Sequence, residues 1–410
     1  MLLIRNSNIV DWRRSSRTTY DILIDDGVIK KIDTRIDCSD AEIIEAKGLV
    51  AIPGIVDPHV HLRQPGYEWK ETVESGVLAA TSGGVTSLCA MPNVMPCPDS
   101  VENYHYVRSF QNDTVIRVLQ SCSINQNLSG RRNNWKELYE AGAIVFTNDG
   151  LPVDRNSDMA AVLWFSRETG VLVAEHPEIP EFDRSLGNTE HAVICRDVIL
   201  NERIGGRLHL QHVSLASSID FLKLAREKNI RFTIETCPHY FIETSEGLPD
   251  GFYEVYPPMR TADDLKAIRW AIVSGLIDII ASDHAPHTLE EKTSEVPARG
   301  FSGVELLFPL SYTALVSEGL LSLQALTKLL TFNSSNLLEI NPACLEEGER
   351  ADIVLFDPNE SWIVEESSMY SKGKNTPFLG KKLDAKVKYT IASGKIVYPP
   401  SLESQYECCE

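Results

Sequence analysis

His59 and His61 stand two residues apart at the end of the apolar run Ile55-Val56-Asp57-Pro58-His59-Val60-His61, and a β-strand turns residues i and i+2 to the same face. Two imidazoles on one face can hold one metal ion. A His-x-His pair alone is weak evidence, because strands carry paired polar residues for many reasons. Four further residues add to it: Asp149, His176, His212 and Asp283 each follow a strand-like apolar stretch. Four imidazoles with two carboxylates suit two zinc-type ions that keep an open position for water or substrate. Two neighbouring ions need a bridging anion, and Asp149, in Phe146-Thr147-Asn148-Asp149-Gly150, has two oxygens to offer. Asp149-Gly150 also suits a simple turn.

Such residues act together only if the fold gathers their strand ends. Between about 52 and 340, strand candidates ending near Val60, Leu88, Leu119, Phe146, Val173, Leu210, Ile234 and Ala281 alternate with helical stretches such as 219–228 and 265–274. Eight strand-then-helix repeats predict an α/β fold of the TIM (β/α)8 type, whose reactive groups sit at the carboxyl ends of the strands. The two ends of the chain read differently. Tyr20-Asp21-Ile22-Leu23-Ile24 precedes the hairpin signal Asp25-Asp26-Gly27, and three more strands lie within 351–357, 387–391 and 395–398. Both termini are expected to build one small β-sandwich, giving segments 1–51 and 344–410 around a barrel over 52–343.

The 410 residues exceed what one small core needs, and 43% apolar with 24% charged residues is ordinary globular composition. A net charge of −19 argues against a nucleic-acid partner. An anionic small molecule must then be attracted locally, by a metal or a placed Arg. Met1-Leu2-Leu3-Ile4-Arg5-Asn6 lacks the apolar core of a signal peptide and no run approaches a membrane span, so a cytoplasmic protein without a membrane partner is expected. Nine scattered cysteines, none in Cys-x-x-Cys spacing, read as reduced packing residues. His209 has strand parity opposite to His212, so a regular strand turns at most one of them to the site, and His212 is nearer the carboxyl end. His105 and His191 read as surface or packing residues, and His239 as a supporter of the site.

With "PGIVDPHVHLRQPG", Lys70-Glu71, "AATSGGVTS", "MPNVMP", "FTNDG", "QHVS", "CPHY", "PPMR", "ASDHAPHT", "ADIVLFDP" and "NTPFLG" the chain resembles, nearly end to end, the class I dihydroorotases of the amidohydrolase superfamily. The pairing of Arg63 with Asn93 is the more specific part. The resemblance implies metal ligands at His59, His61, Asp149, His176, His212 and Asp283, with one or two Zn2+ ions and a bridging role for Asp149. The carboxylated lysine that bridges in some amidohydrolases is lacking, since no Lys lies between Lys136 and Lys223. It further implies that Arg63, Asn93 and His287 clamp a substrate carboxylate, a guanidinium offering a bidentate fork, and that Asp283 is the catalytic proton carrier.

The implied reaction is reversible cyclisation of N-carbamoyl-L-aspartate to L-dihydroorotate in pyrimidine biosynthesis. The resemblance also implies a homodimer, and it leaves docking onto aspartate transcarbamoylase open. Three departures stand out: Tyr256 where an Asn is usual, Arg299-Gly300 where Phe-Gly is usual, and a short interval between His176 and His212. Tyr256, Arg299 and Gly300 therefore join the candidate substrate contacts. Tyr256 also keeps alive a hydantoinase, dihydropyrimidinase or allantoinase reading. An inactive scaffold is the remaining alternative, opposed by six filled ligand positions.

Overall fold

The computed structural model describes residues 1–179, 189–246, 253–341 and 343–400. Five strands open the chain: β1 (Leu2–Val10), β2 (Ser15–Asp25), β3 (Val28–Asp33), β4 (Glu42–Glu45) and β5 (Val50–Pro53). The predicted turn joins β2 to β3, with Asp25 opposite Val28 and left-handed backbone at Asp26 (φ 50°) and Gly27 (φ 73°), the conformation a tight hairpin requires.

Eight parallel strands follow: β6 (Ile55–Val60), β7 (Val85–Ala90), β8 (Arg117–Gln120), β9 (Val145–Phe146), β10 (Leu172–Glu175), β11 (Arg207–Leu210), β12 (Thr233–Thr236) and β13 (Ile279–Ile280). They form one arc of three strands and one of five. Parallel bridges Cys122–Phe146 and Val60–His284 close the arcs into a barrel. Helices lie between the strands. Val73–Ser82 starts at a Thr72/Ser75 capping box and Ala262–Val273 at a Thr261/Asp264 box, each satisfying backbone donors that the first turn leaves open.

Side-chain parity splits the barrel into two cores. Val60, Leu88, Phe146, Val173, Leu210, Ile234 and Ile280 pack outward with helix residues such as Val77, Val162, Ile219 and Ile268. The alternate set, including Cys89, Met91, Val145, Leu172, Ala174, Ile279 and Ala281, forms a separate cluster inside. Each fully buried aliphatic side chain contributes roughly 1.5–3 kcal/mol, so this alternation fixes which residues face inward.

The chain returns to the first sheet through β14 (Ile353–Ile363), β15 (Lys382–Ala392) and β16 (Lys395–Tyr398). The resulting eight-stranded sheet runs β16-β15-β14-β5-β1-β2-β3, with β4 also on β1. Both termini thus share one sheet with its own core of Leu2, Ile4, Ile22, Ile24, Ile29, Ile353, Leu355 and Ile391. Only Gly54 separates β5 from β6, and its N–H donates to the Asp352 carbonyl at 2.8 Å; the sheet is thereby tied to the strand that carries His59. The seven cysteines within the described residues are free; Cys408 and Cys409, with the rest of 401–410, lie outside them. No helix among the described residues is long and apolar enough to cross a membrane.

Candidate metal and substrate site

The inward parity of the strands runs on past their ends. Val145 leads to Asp149, Ala174 to His176, Ala281 to Asp283 and Met91 to Asn93, each by steps of two residues. Asp57, His59 and His61 share one face of β6 and its extension, as the spacing requires. His212 arrives by another route. β11 ends at Leu210, and left-handed backbone at His212 (φ 35°) turns its ring inward against strand parity. Arg63 (φ 61°) and Asp283 (φ 47°) are left-handed too, a conformation that costs on the order of 1–3 kcal/mol and gathers at functional sites.

Six side chains converge. Asp149 Oδ1 lies 3.1 Å from His59 Nε2 and 3.5 Å from His176 Nδ1, while Oδ2 lies 3.2 Å from His61 Nε2. Asp283 Oδ1 is 3.4 Å from both His59 Nε2 and His61 Nε2. His212 Nε2 meets His176 Nδ1 at 2.8 Å. Ligand atoms of His59, Asp149 and His212 form one group within 4.8 Å of one another, and those of His59, His61 and Asp283 form a second.

The hydrogen bonds around these rings test whether a cation fits. Glu235 Oε1 accepts from His59 Nδ1 at 2.9 Å, and Asn93 Oδ1 accepts from His61 Nδ1 at 2.7 Å. Each ring therefore turns its Nε2 lone pair toward carboxylate oxygens, which is repulsive unless positive charge lies between. His59 Nε2 and Asp149 Oδ1 are buried and make no hydrogen bond among the described residues. Burial opposes a charged His59, yet Asp149, Glu235 and Asp283 outweigh it and raise its pKa well above the usual range. Burial likewise opposes a charged Asp149, while His59 and His61 hold its carboxyl well below the usual range. The pocket demands positive charge, and a divalent ion held by nitrogen and oxygen supplies it.

Above the cluster lies a cavity of about 360 Å³ lined by His61, Asp149, His176, His212 and Asp283 together with Arg63, Asn93, Tyr256, His287, Arg299 and Gly300. This volume suits a small cyclic molecule. Arg63 is buried, its Nε donating to the Pro286 carbonyl at 3.3 Å. Asn93 has its oxygen engaged by His61, which leaves its amide N–H groups for the cavity. His287 lines the same cavity, its Nε2 3.3 Å from Arg63 Nη2. Its Nε2–H donates to the Arg299 carbonyl at 2.9 Å and its Nδ1 accepts from Lys70 Nζ at 3.2 Å, so both ring nitrogens have protein partners. Burial, Arg63 and Lys70 lower the pKa of this ring to about 3. Tyr256 packs its ring 4.8 Å from that of His176, and the Arg299 guanidinium lies 4.6 Å above the Tyr256 ring.

Sequence reasoning missed Glu235. Fully buried, it accepts from His59, from His209 Nε2 at 3.1 Å and from the His212 amide at 3.2 Å. His209 is thus not idle when His212 faces the site, because the strand is not regular through both. A carboxylate at an inward position of a buried strand was the available signal. Lys70 belongs to the Lys70-Glu71 motif, and its link to His287 has no local sequence signature. His239 is buried, with its pKa pushed down to about 4 by burial. His105 and His191 lie on helices Val101–Ser109 and Thr189–Ile204, away from the cluster.

The sequence profile of the Amidohydrolase family matches residues 50–397. The chain belongs to the amidohydrolase family. Among relatives of this amidohydrolase, a dihydroorotase of Acetivibrio thermocellus is 36% identical, covering 97% of this chain and 98% of the relative. One of Ruminiclostridium cellulolyticum is 37% identical over 96% and 97%, and one of Aquifex aeolicus 36% over 97% and 99%. Solved structures share the fold at lower identity. A dihydropyrimidinase of Brevibacillus agri superposes with a TM-score of 0.87 at 22% identity, over 97% of this chain and 94% of that one. An L-hydantoinase of Arthrobacter aurescens gives 0.88 at 22%, over 97% and 95%. The TIM-barrel architecture with its terminal β-domain is therefore shared with proteins named dihydropyrimidinase and hydantoinase.

Proposed function

We propose that this amidohydrolase is a zinc-dependent dihydroorotase that interconverts N-carbamoyl-L-aspartate and L-dihydroorotate. The observation that carries the reading is one small cavity in which buried Arg63 and the Asn93 amide stand beside the His/Asp cluster. Its near-full-length relatives bearing the name dihydroorotase support it. We assign His59, His61, Asp149, His176, His212 and Asp283 as the residues that would hold one or two zinc ions, with Asp149 placed to serve both. That assignment rests on the two Asp149 oxygens facing different imidazoles. When bound, zinc supplies Lewis acidity that polarises a carbonyl and brings the pKa of water toward ~7.

The chain's own residues do the rest. Arg63 receives the substrate carboxylate and Asn93 orients it through its amide N–H groups. In ring opening, Asp283 accepts the proton of the attacking water, whose oxygen bonds to the ring carbonyl carbon. As the carbon–nitrogen bond breaks, Asp283 delivers that proton to the departing ring nitrogen; ring closure runs the steps in reverse.

Tyr256 against His176 favours a second reading, hydrolysis of hydantoin-like rings, dihydropyrimidines or allantoin. Turnover of dihydroorotate and carbamoyl-aspartate is to be compared with that of hydantoin, dihydrouracil and allantoin. Turnover confined to the first pair is the expected result; turnover confined to the others would replace the reading. On the same resemblance we assign the enzyme to the cytoplasm as a homodimer, and association with aspartate transcarbamoylase is open to co-elution.

A further inference from the structure

Lys292 ends the single helical turn Leu289–Lys292 in the sequence Leu-Glu-Glu-Lys, where a solvated side chain would be ordinary. It is instead completely buried. Its Nζ donates to the carbonyls of Glu254, Ala298 and Gly300, each at 2.9 Å, so the three N–H bonds of the ammonium are all used. A buried ammonium is tolerated only when its donors are satisfied this fully. The Arg299 carbonyl accepts from His287, so three successive carbonyls, 298 to 300, are held from inside the protein. The Gly300 N–H donates to the Glu254 carbonyl at 2.9 Å and joins the same two loops.

Each loop carries a wall of the substrate cavity. Tyr256 lies two residues beyond Glu254, and Arg299 lies between the two carbonyls that Lys292 grips. The Arg299 guanidinium stacks on the Tyr256 ring, which rests on His176. Gly300 adopts φ +123°, and a Cβ there would come within 2.6 Å of Ala285. The loop is pressed against the chain just past Asp283 and has no slack.

We propose that Lys292 is a positioning residue for substrate recognition: its buried ammonium gathers the carbonyls of Glu254, Ala298 and Gly300 and holds Tyr256 and Arg299 against the cavity. Burial lowers its pKa to about 8, in keeping with an ammonium enclosed by protein. The role is one of binding, because Lys292 reaches neither the His/Asp cluster nor the cavity.

The inference rests on the dihydroorotase reading for its substrate, and the test separates the two. Zinc-loaded wild type, Lys292→Met and Lys292→Gln are assayed with dihydroorotate while hydrogen exchange is followed over 296–301. For Lys292→Met we expect KM to rise ~10-fold or more and kcat to fall less than ~3-fold. Metal content is expected to stay unchanged and exchange over 296–301 to quicken. Lys292→Gln keeps two N–H donors and is expected to fall between; it serves if the Met variant does not fold. Folded variants with wild-type KM and exchange would overturn the inference. If wild type fails to turn over dihydroorotate, the functional reading falls, and faster exchange in the variants would still sustain the clamp.

Discussion

Glu235 is the most exacting place to perturb this site, because it touches the His/Asp cluster only through histidines. Its Oε1 accepts from His59 Nδ1 at 2.9 Å and its Oε2 from His209 Nε2 at 3.1 Å. Burial works against ionisation, yet His59 and His209 hold its carboxyl down at about 2. Glu235→Gln keeps the shape and one acceptor oxygen. His209 adapts by donating from Nδ1 to Thr233 Oγ1, already 2.8 Å away, so the fold should survive. What disappears is the negative charge that makes His59 a stronger ligand. A charge-assisted hydrogen bond exceeds a neutral one by about 1–1.5 kcal/mol. Outer partners of ligating histidines are worth roughly 10–100-fold in metal affinity, or about 1.4–2.8 kcal/mol. The ranges meet near a tenfold loss. Competition against a chromophoric chelator measures it, with circular dichroism to confirm folding. A folded variant that binds zinc as tightly as wild type would refute the claim that Glu235 tunes His59.

Asp283→Asn should retain the fold and lower turnover ~100-fold or more if Asp283 carries the proton; a near-normal kcat in steady-state assay would remove that role. Arg63→Met should chiefly weaken substrate binding, costing roughly 2–3 kcal/mol in kcat/KM, and unchanged kinetics would show that Arg63 is not the clamp. Glu305, away from the cluster, has its pKa raised by burial to about 7, although it accepts from the amides of Tyr370 and Ser371. The folded state then binds more protons than the unfolded state between the ordinary carboxylate value near 4.5 and 7. Its contribution, on the order of 3 kcal/mol, is present below that window and fades as pH rises through it. In Glu305→Gln, denaturant titrations from pH 5 to 7 should lose this slope, and an unchanged slope would assign it elsewhere.

Much of the site was legible because β-strands are periodic. The predicted strand ends at Val60, Phe146, Leu210 and Ala281 fall at or beside the ends of β6, β9, β11 and β13, and counting onward by twos from the inward residues His59, Val145 and Ala281 reaches His61, Asp149 and Asp283. The count fails at His212, where left-handed backbone breaks the parity that set His209 and His212 on opposite faces. Glu235 was hidden for a different reason: a lone carboxylate in a short strand shows no partner until β6 and β11 are brought beside it. Lys292 was beyond reach, since Leu-Glu-Glu-Lys has the composition of a solvated turn and only the packing of two distant loops buries it. Tyr256 and Arg299 were noticed one at a time, and their stacking on each other is a contact between loops.

The most direct test of the central claim measures zinc per chain and dihydroorotate turnover on the same samples through chelation and stepwise zinc addition. Turnover should vanish in the metal-free protein while circular dichroism holds, then return as zinc approaches two equivalents. Undiminished turnover by folded, metal-free protein would contradict the account.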